Sequence, residues 1–394
     1  MNETVLNIKP ADRISSVSEY YFSRKLKEVA KLNAEGKDII SLAIGSPDMP
    51  PSPETIERLC EVARQPNAHG YQPTVGTPEL RQAMSRFYKR WYGVELDPDK
   101  EIQPLIGSKE GILHVTLALC NPGDRVLVPN PGYPTYTALN RILGTEIITY
   151  DLLEENGWQP DFEQLETMDL SGVKVMWTNY PHMPTGAPAT RELYQRIVDF
   201  ARRHNIVVVN DNPYSFILNR GEHLSILQVP GAKDCCIEFN SMSKSHNMPG
   251  WRVGMIATNA TFIEWILRIK SNIDSGTFRA LQLAAATAYD NTGEWHEQAN
   301  VNTYQNRRNI AECIMKQLGC SFDPKQTGMF LWGRIPDSYA DVEDLTERVL
   351  HEARVFITPG FIFGTNGKRY IRISLCAKDD KMEEALKRIR EVFH

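Results

Sequence analysis

The 394-residue sequence predicts an α/β protein: a mostly parallel sheet flanked by helices, joined to a smaller α+β domain. Three observations support this. Between about residues 108 and 258 short apolar runs alternate with helical ones: "ILHVTLALC", "RVLVP", "YTALNRIL", "EIITYDL", "VKVMWTNY", "RELYQRIVDFARRH", "IVVVND", "CCIEFN" and "WRVGMIAT". Continuous β-branched runs between helices are what strands covered on both faces require. Beyond about residue 290 the strand-like runs thin out and helical patterns dominate. The chain is also longer than one ordinary domain, and 42% of it is apolar, enough for a sizeable core. The expected division is a large domain over 46–290 and a small one built from 1–45 with 291–394.

The elements follow in order. Residues 17–35 read as an amphipathic helix ended by Gly36, and "IISLAIG" as a short strand. "GSPDMPPSP" is a proline-rich turn, a natural hinge between lobes. Helical patterns cover about 55–65 and 78–92, the second opened by Thr77 as N-cap and Pro78 at the first helical position. The alternating region follows. After it come a long helical stretch over roughly 294–318, "MFLWGRI", a helix near 342–354, "YIRISLC", and a last helix from Lys381. No fixed-period repeat and no low-complexity segment interrupts this order.

Composition excludes several classes. Lys and Arg total 44 against 49 Asp and Glu, a net charge of -5, so nucleic acid is not a favoured partner. No run of eighteen or more apolar residues exists, and no membrane span is expected. "MNETVLNIKPADRI" lacks the basic and apolar regions of a signal peptide. The seven cysteines are scattered, with no CxxC or Cys/His metal spacing. The expectation is a cytoplasmic protein with reduced thiols and no metal.

In an open α/β sheet, ligands bind beyond the carboxyl ends of the strands. Four polar strand ends are therefore of interest. "VKVMWTNYPHMPTG" leads to Asn179, "IVVVNDNPY" to Asp211 and Tyr214, "CCIEFNSMSK" to Ser241 and Lys244, and "PLIGSKEG" to Gly107 and Ser108 at a helix start. A lysine, a carboxylate, a phenol, an amide and an anion-binding helix N-terminus are the equipment for pyridoxal phosphate.

On these segments the chain resembles the class I, aspartate-aminotransferase-like, pyridoxal-phosphate-dependent aminotransferases of fold type I. "SMSKSHNMPGWRVG" is similar to the family's lysine signature, and "NYPHMPTG" to its N-x-P-x-x-P-T-G. The resemblance runs from "IGSPD" to "YIRIS". One departure is Met183, where asparagine is more usual, at a position not expected to hold the cofactor. The resemblance makes 46–290 the cofactor-binding domain. It implies that Lys244 forms the Schiff base and shuttles the proton, and that Asp211 pairs with the ring nitrogen. It places Tyr214 and Asn179 on the ring oxygen, and Arg252, Ser241 and Ser243 on the phosphate. Gly107, Ser108 and Lys109 supply the helix start beneath that phosphate, and Tyr133 the ring-stacking aromatic. Arg372 is expected to hold the substrate α-carboxylate bidentately, with Gly45 and Asn179 nearby. Tyr71 resembles the tyrosine that crosses to the neighbouring subunit's phosphate, which implies a homodimer with shared active sites.

The implied activity moves an amino group from an L-amino acid to a 2-oxo acid, 2-oxoglutarate foremost. A carbon–sulfur β-lyase on the same scaffold uses the same residues and stands as the alternative. A fused transcription regulator of this fold would need a DNA-binding domain, for which there is no room before Ser41. "GSKEG" and "SNIDSG" resemble segments of the LL-diaminopimelate aminotransferases and of their bacterial aspartate or broad-specificity relatives. Lys109 has two readings. It is a first-turn residue facing Glu110 or solvent, or it meets a distal substrate carboxylate. Arg279 is the next candidate for that carboxylate.

Overall fold

The computed structural model describes residues 8–15, 21–219, 221–293 and 301–393. Along the chain its strands are β1 (Ile40–Ser41), β2 (Ile102–Leu105), β3 (Arg125–Asn130), β4 (Glu146–Asp151), β5 (Val173–Asn179) and β6 (Val207–Asp211). They continue with β7 (Cys236–Ser241), β8 (Gly254–Ala257), β9 (Phe330–Arg334), β10 (Val355–Phe356), β11 (Thr358–Pro359) and β12 (Tyr370–Ser374). Seven of them form the central sheet in the order β2-β8-β7-β6-β5-β3-β4. The run from β4 to β7 pairs in parallel, while β8 pairs antiparallel with both β7 and β2. The sheet is therefore mostly parallel.

Its inner strands are covered on both faces, which explains their mostly apolar character, while β4 at the edge is partly exposed. Val126, Val128, Val175, Trp177, Val209, Ile237 and Phe239 face the helices Ser108–Leu119 and Ala260–Lys270. Leu127, Met176, Val208 and Cys236 point to the other face, into a core that contains the helix Arg191–His204. Fully burying each such side chain stabilises the fold by about 1.5–3 kcal/mol before ordering costs.

A three-stranded antiparallel sheet, β11-β12-β9, and the parallel pair β1-β10 lie with the C-terminal helices Asn302–Gln317, Val342–His351 and Asp379–Val392. The helix Tyr21–Ala34 packs Val29 against Ile39, Leu350 and Phe356. Arg307 is buried and paired with Asp48 at 2.6 Å and Asp379 at 2.7 Å, tying the proline-rich turn to the C-terminal helix.

The elements differ from sequence expectation at their ends. Residues 17–20 and 294–300, expected at helix starts, lie outside the described residues. The helix expected from 55 begins at Pro53, because Ser52 caps it and Pro53 suits the first position. The helix expected to reach 354 stops at His351, and the last helix begins at Asp379 rather than Lys381. "WRVGMIAT" is a strand only from Gly254. Trp251 closes a short turn, and Arg252 takes a left-handed backbone at φ 56.

Candidate active site

The carboxyl ends of β2, β3, β5, β6 and β7 open onto a cavity of about 490 Å3. Ser108, Lys109, Tyr133, Asn179, Asp211, Tyr214, Ser241, Ser243, Lys244, Arg252, Gly45 and Arg372 all line it. Three sequence candidates do not: Gly107, Arg279 and Tyr71, which stands on the surface, 96% exposed.

Lys244 sits in the short helical turn Met242–Ser245 that follows β7, with Ser241 as its N-cap. Its ammonium donates to the Gly45 carbonyl. Burial lowers its proton affinity, and Arg372 and Arg252 push the same way, against Cys376 and Asp211. A lysine so placed loses its proton more readily than one in water.

Asp211 ends β6. Its Oδ2 accepts from Tyr136 Oη at 3.1 Å, and its Oδ1 is buried with no hydrogen-bond partner. Burial pushes its carboxyl up to about 7, although the Tyr136 bond acts to lower it. An orphaned buried oxygen of this kind calls for a donor from the cavity. Tyr136 stacks on Trp177 at 5.3 Å, which fixes the phenol in place. Sequence reading missed Tyr136. The signal available was its position one helical turn after Tyr133 in "NPGYPTY".

Asn179 ends β5, and its side chain bridges two backbones. Nδ2 donates to the Asp211 carbonyl at 2.6 Å, and Oδ1 accepts from Met183 N at 2.8 Å. One amide hydrogen of Nδ2 remains to face the cavity. Met183, set aside in the sequence, lines the cavity, and its sulfur lies 3.4 Å from Arg372 Nη1. Arg372 Nη2 donates to the Ala43 carbonyl at 2.8 Å. Its guanidinium lies over Phe330 at 3.9 Å and Phe363 at 4.6 Å, so it is held against both rings.

At the opposite end lies an anion cradle. The first N–H groups of the helix Ser108–Leu119 have no intrahelical acceptor and carry the positive end of its dipole. Arg252 arches over this start, with Nη1 3.4 Å from Ser243 Oγ and Nη2 3.5 Å from the Ile106 carbonyl. Gly107 makes the approach possible. Its φ is 74, and a Cβ there would sit 2.1 Å from Arg252 Nη2. Tyr133 stands at the cavity edge, edge-on to Tyr136 at 5.5 Å. Tyr214 packs edge-on against Phe330, and burial pushes its hydroxyl up.

Among the described lining residues the ionic side chains are Lys109, Lys244, Arg252 and Arg372 against the single carboxylate Asp211. The cavity therefore suits an anionic guest. Arg279 is not in the wall; it faces Glu79 at 3.5 Å. The residues fit pyridoxal phosphate on three counts: a cradle for a phosphate, an amine, and a carboxylate oxygen awaiting a donor.

Comparison with known proteins agrees. The family described as aminotransferase class I and II matches residues 37–389. A protein named LL-diaminopimelate aminotransferase from Dehalococcoides mccartyi is 40% identical over 383 residues, covering 97% of this chain and 98% of that one. One of the same name from Moorella thermoacetica is 41% identical over 388 residues, covering 98% and 99%. The solved apo structure of BacF from Bacillus subtilis superposes with a TM-score of 0.93 at 35% identity, covering 99% of each chain.

Proposed function

The chain belongs to the class I and II aminotransferases, and we propose that it carries out pyridoxal-phosphate-dependent transfer of an amino group from an L-amino acid to 2-oxoglutarate. The observation that carries this is that Lys244 and the unpartnered Oδ1 of Asp211 share one cation-rich cavity. When bound, pyridoxal phosphate supplies a carbonyl for the amino group and an electron-withdrawing ring. The chain's own residues do the rest. Lys244 Nζ, depressed in proton affinity by burial, takes the proton from the substrate α-carbon. Asp211 Oδ1, in a carboxylate that Tyr136 holds in position, would accept from the ring nitrogen. Tyr214 and Asn179 would hold the ring oxygen, and Tyr133 would cover the ring. Arg252, Ser241, Ser243 and the 107–109 helix start would hold the phosphate. Arg372 takes the α-carboxylate as a planar fork beside Gly45.

Arg252 and Arg372 thus each have an anion to hold, which leaves Lys109 for a distal carboxylate. A dicarboxylate acceptor and a donor with a polar or acidic end follow from that count. The carbon–sulfur β-lyase alternative has no support among the relatives described above. We assign 46–290 to cofactor binding and 1–45 with 291–394 to the small domain. We further propose a homodimer. Tyr71 is exposed, and the bridge between Gln72 and Gly276 sets it beside a segment that exposes Ile273 and Phe278. Large apolar side chains so exposed suit a second copy of the chain. All seven cysteines are free thiols, which suits the cytoplasm. No described helix is long and apolar enough to cross a membrane.

The test is a donor panel against 2-oxoglutarate: LL-diaminopimelate, aspartate, glutamate, methionine and phenylalanine. The wild type should be yellow with cofactor and transaminate at least one acidic or polar donor. Lys244→Ala should bind cofactor and turn nothing over. A wild type with no visible band after addition of cofactor would end the proposal.

A further inference from the structure

The segments "GSKEG" and "SNIDSG" contribute Glu110 and Asp274, for which the chemistry above has no use. In the folded chain these two residues meet. Lys270, at the end of the helix Ala260–Lys270, is buried at 2% exposure and donates to Glu110 and to both oxygens of Asp274, at 2.9 and 2.7 Å. His114 Nε2 lies 2.8 Å from Glu110 and 3.7 Å from Asp274. Glu110, His114 and Asp274 bring potential ligand atoms within 4.8 Å of one another, a spacing that suits a metal. The Lys270 ammonium bonds both carboxylates of that group, and the cavity beside it, about 20 Å3, holds roughly one water. The cluster is a clamp rather than a binding site.

Its two arms reach the phosphate region. Glu110 Oε2 accepts from Ile106 N at 2.7 Å, immediately before Gly107 and Ser108. The Ile106 carbonyl in turn faces Arg252. On the other side, the Asp274 carbonyl accepts from Thr74 Oγ1 at 3.5 Å, and Gly276 N donates to the Gln72 carbonyl at 3.1 Å. That places the Tyr71 segment on the same anchor. Burial works to raise the Glu110 carboxyl, but the bonds from His114 and Lys270 outweigh it and hold it at about 2. Glu110 therefore stays a charged acceptor for Ile106 N. Removing one partner of a buried ionic group leaves the others exposed to the full desolvation cost.

We propose that Lys270 is a positioning residue for phosphate recognition: through Glu110 and Asp274 it fixes the 106–108 turn and the segment carrying Tyr71. The proposal rests on the pyridoxal phosphate reading above, and a general loss of structure would affect every ligand alike. The experiment compares pyridoxal phosphate with pyridoxal, which lacks the phosphate. The full chain is stripped of cofactor and titrated with each, following the visible band. In Lys270→Gln, affinity for pyridoxal phosphate should fall on the order of tenfold, as befits a lost charge-assisted bond, while affinity for pyridoxal stays within about twofold. Lys270→Arg should recover most of the loss. Glu110→Gln supplies the second view. Losing the tether predicts a further phosphate-selective loss, whereas losing a nearby negative charge would strengthen phosphate binding. Equal losses for both compounds, no loss in either variant, or opposite signs in the two variants overturn the proposal. A wild type that binds neither compound overturns the cofactor reading itself.

Discussion

Replacing Asp211 by Asn isolates the cost of a buried carboxylate. Its Oδ1 lacks a partner, and burial lifts its proton affinity from the usual 3.8 to about 7. In cofactor-free protein between about pH 4 and pH 7, the folded state therefore holds a proton that the unfolded chain has released. Stability must fall as pH rises through that window, because the folded form binds more protons there. Below it both states are protonated, and above it both are charged. A difference of about three pH units at about 1.36 kcal/mol each sets the size, about 4 kcal/mol as an upper bound. Asparagine carries no such proton. Paired urea unfolding of cofactor-free wild type and Asp211→Asn at a series of pH values reads the gap directly. The wild type should lose up to about 4 kcal/mol relative to the variant between pH 4 and pH 7, with no further change above. Saturating pyridoxal phosphate should flatten the wild-type slope, since a donor to Oδ1 keeps the carboxylate charged. Parallel curves for the two cofactor-free proteins would refute the reasoning.

Other substitutions probe the rest of the cavity. Tyr136→Phe removes a bond to a charged oxygen worth about 1.5–3 kcal/mol. Turnover should fall roughly 10- to 100-fold, and the acidic limb of the pH–rate profile should move upward, because that bond holds the Asp211 carboxyl down; an unmoved limb would count against the assignment. Arg372→Ala should weaken kcat/KM for every amino donor by about 2–5 kcal/mol, and an effect confined to one donor class would contradict its proposed hold on the α-carboxylate that all donors share. Lys109→Ala should cost acidic substrates about 1–3 kcal/mol more than neutral ones in kcat/KM. Equal losses for glutamate and phenylalanine would hand Lys109 to the phosphate or to nothing.

The central sheet was legible because strands covered on both faces need mostly apolar runs, which β3, β5, β6 and β7 supply with only Lys174 and Glu238 as charged interruptions beyond the strand ends. Most of the cavity wall was legible for a related reason: most candidates sit at a strand end or in the turn or helix start that follows, Arg372 within β12 being the exception. What escaped was contact between distant segments. Tyr136 meets Asp211 from 75 positions away, and Lys270 meets Glu110 from 160. No periodicity encodes such a meeting. Met183 escaped because its neighbour Arg372 lies 189 positions on. Arg252 was expected beside a strand, and its left-handed turn follows from the cradle it has to reach over. Tyr71 is exposed and outside the cavity wall of its own chain.

The Arg372 corner of the cavity joins segments far apart in the chain. Arg372 on β12 bonds the carbonyl of Ala43, 329 positions earlier, and Ser374 bonds the carbonyls of Leu42 and Ile44. Closing a loop of that length is entropically slow to achieve, and such contacts form after local ones. On the ribosome the lysine, the buried carboxylate and the phosphate cradle all emerge before β12 does. On the roles proposed above, a nascent chain can order its own share of the cofactor-binding residues while it still lacks Arg372. The order of synthesis then places the cofactor side of the cavity before the substrate side.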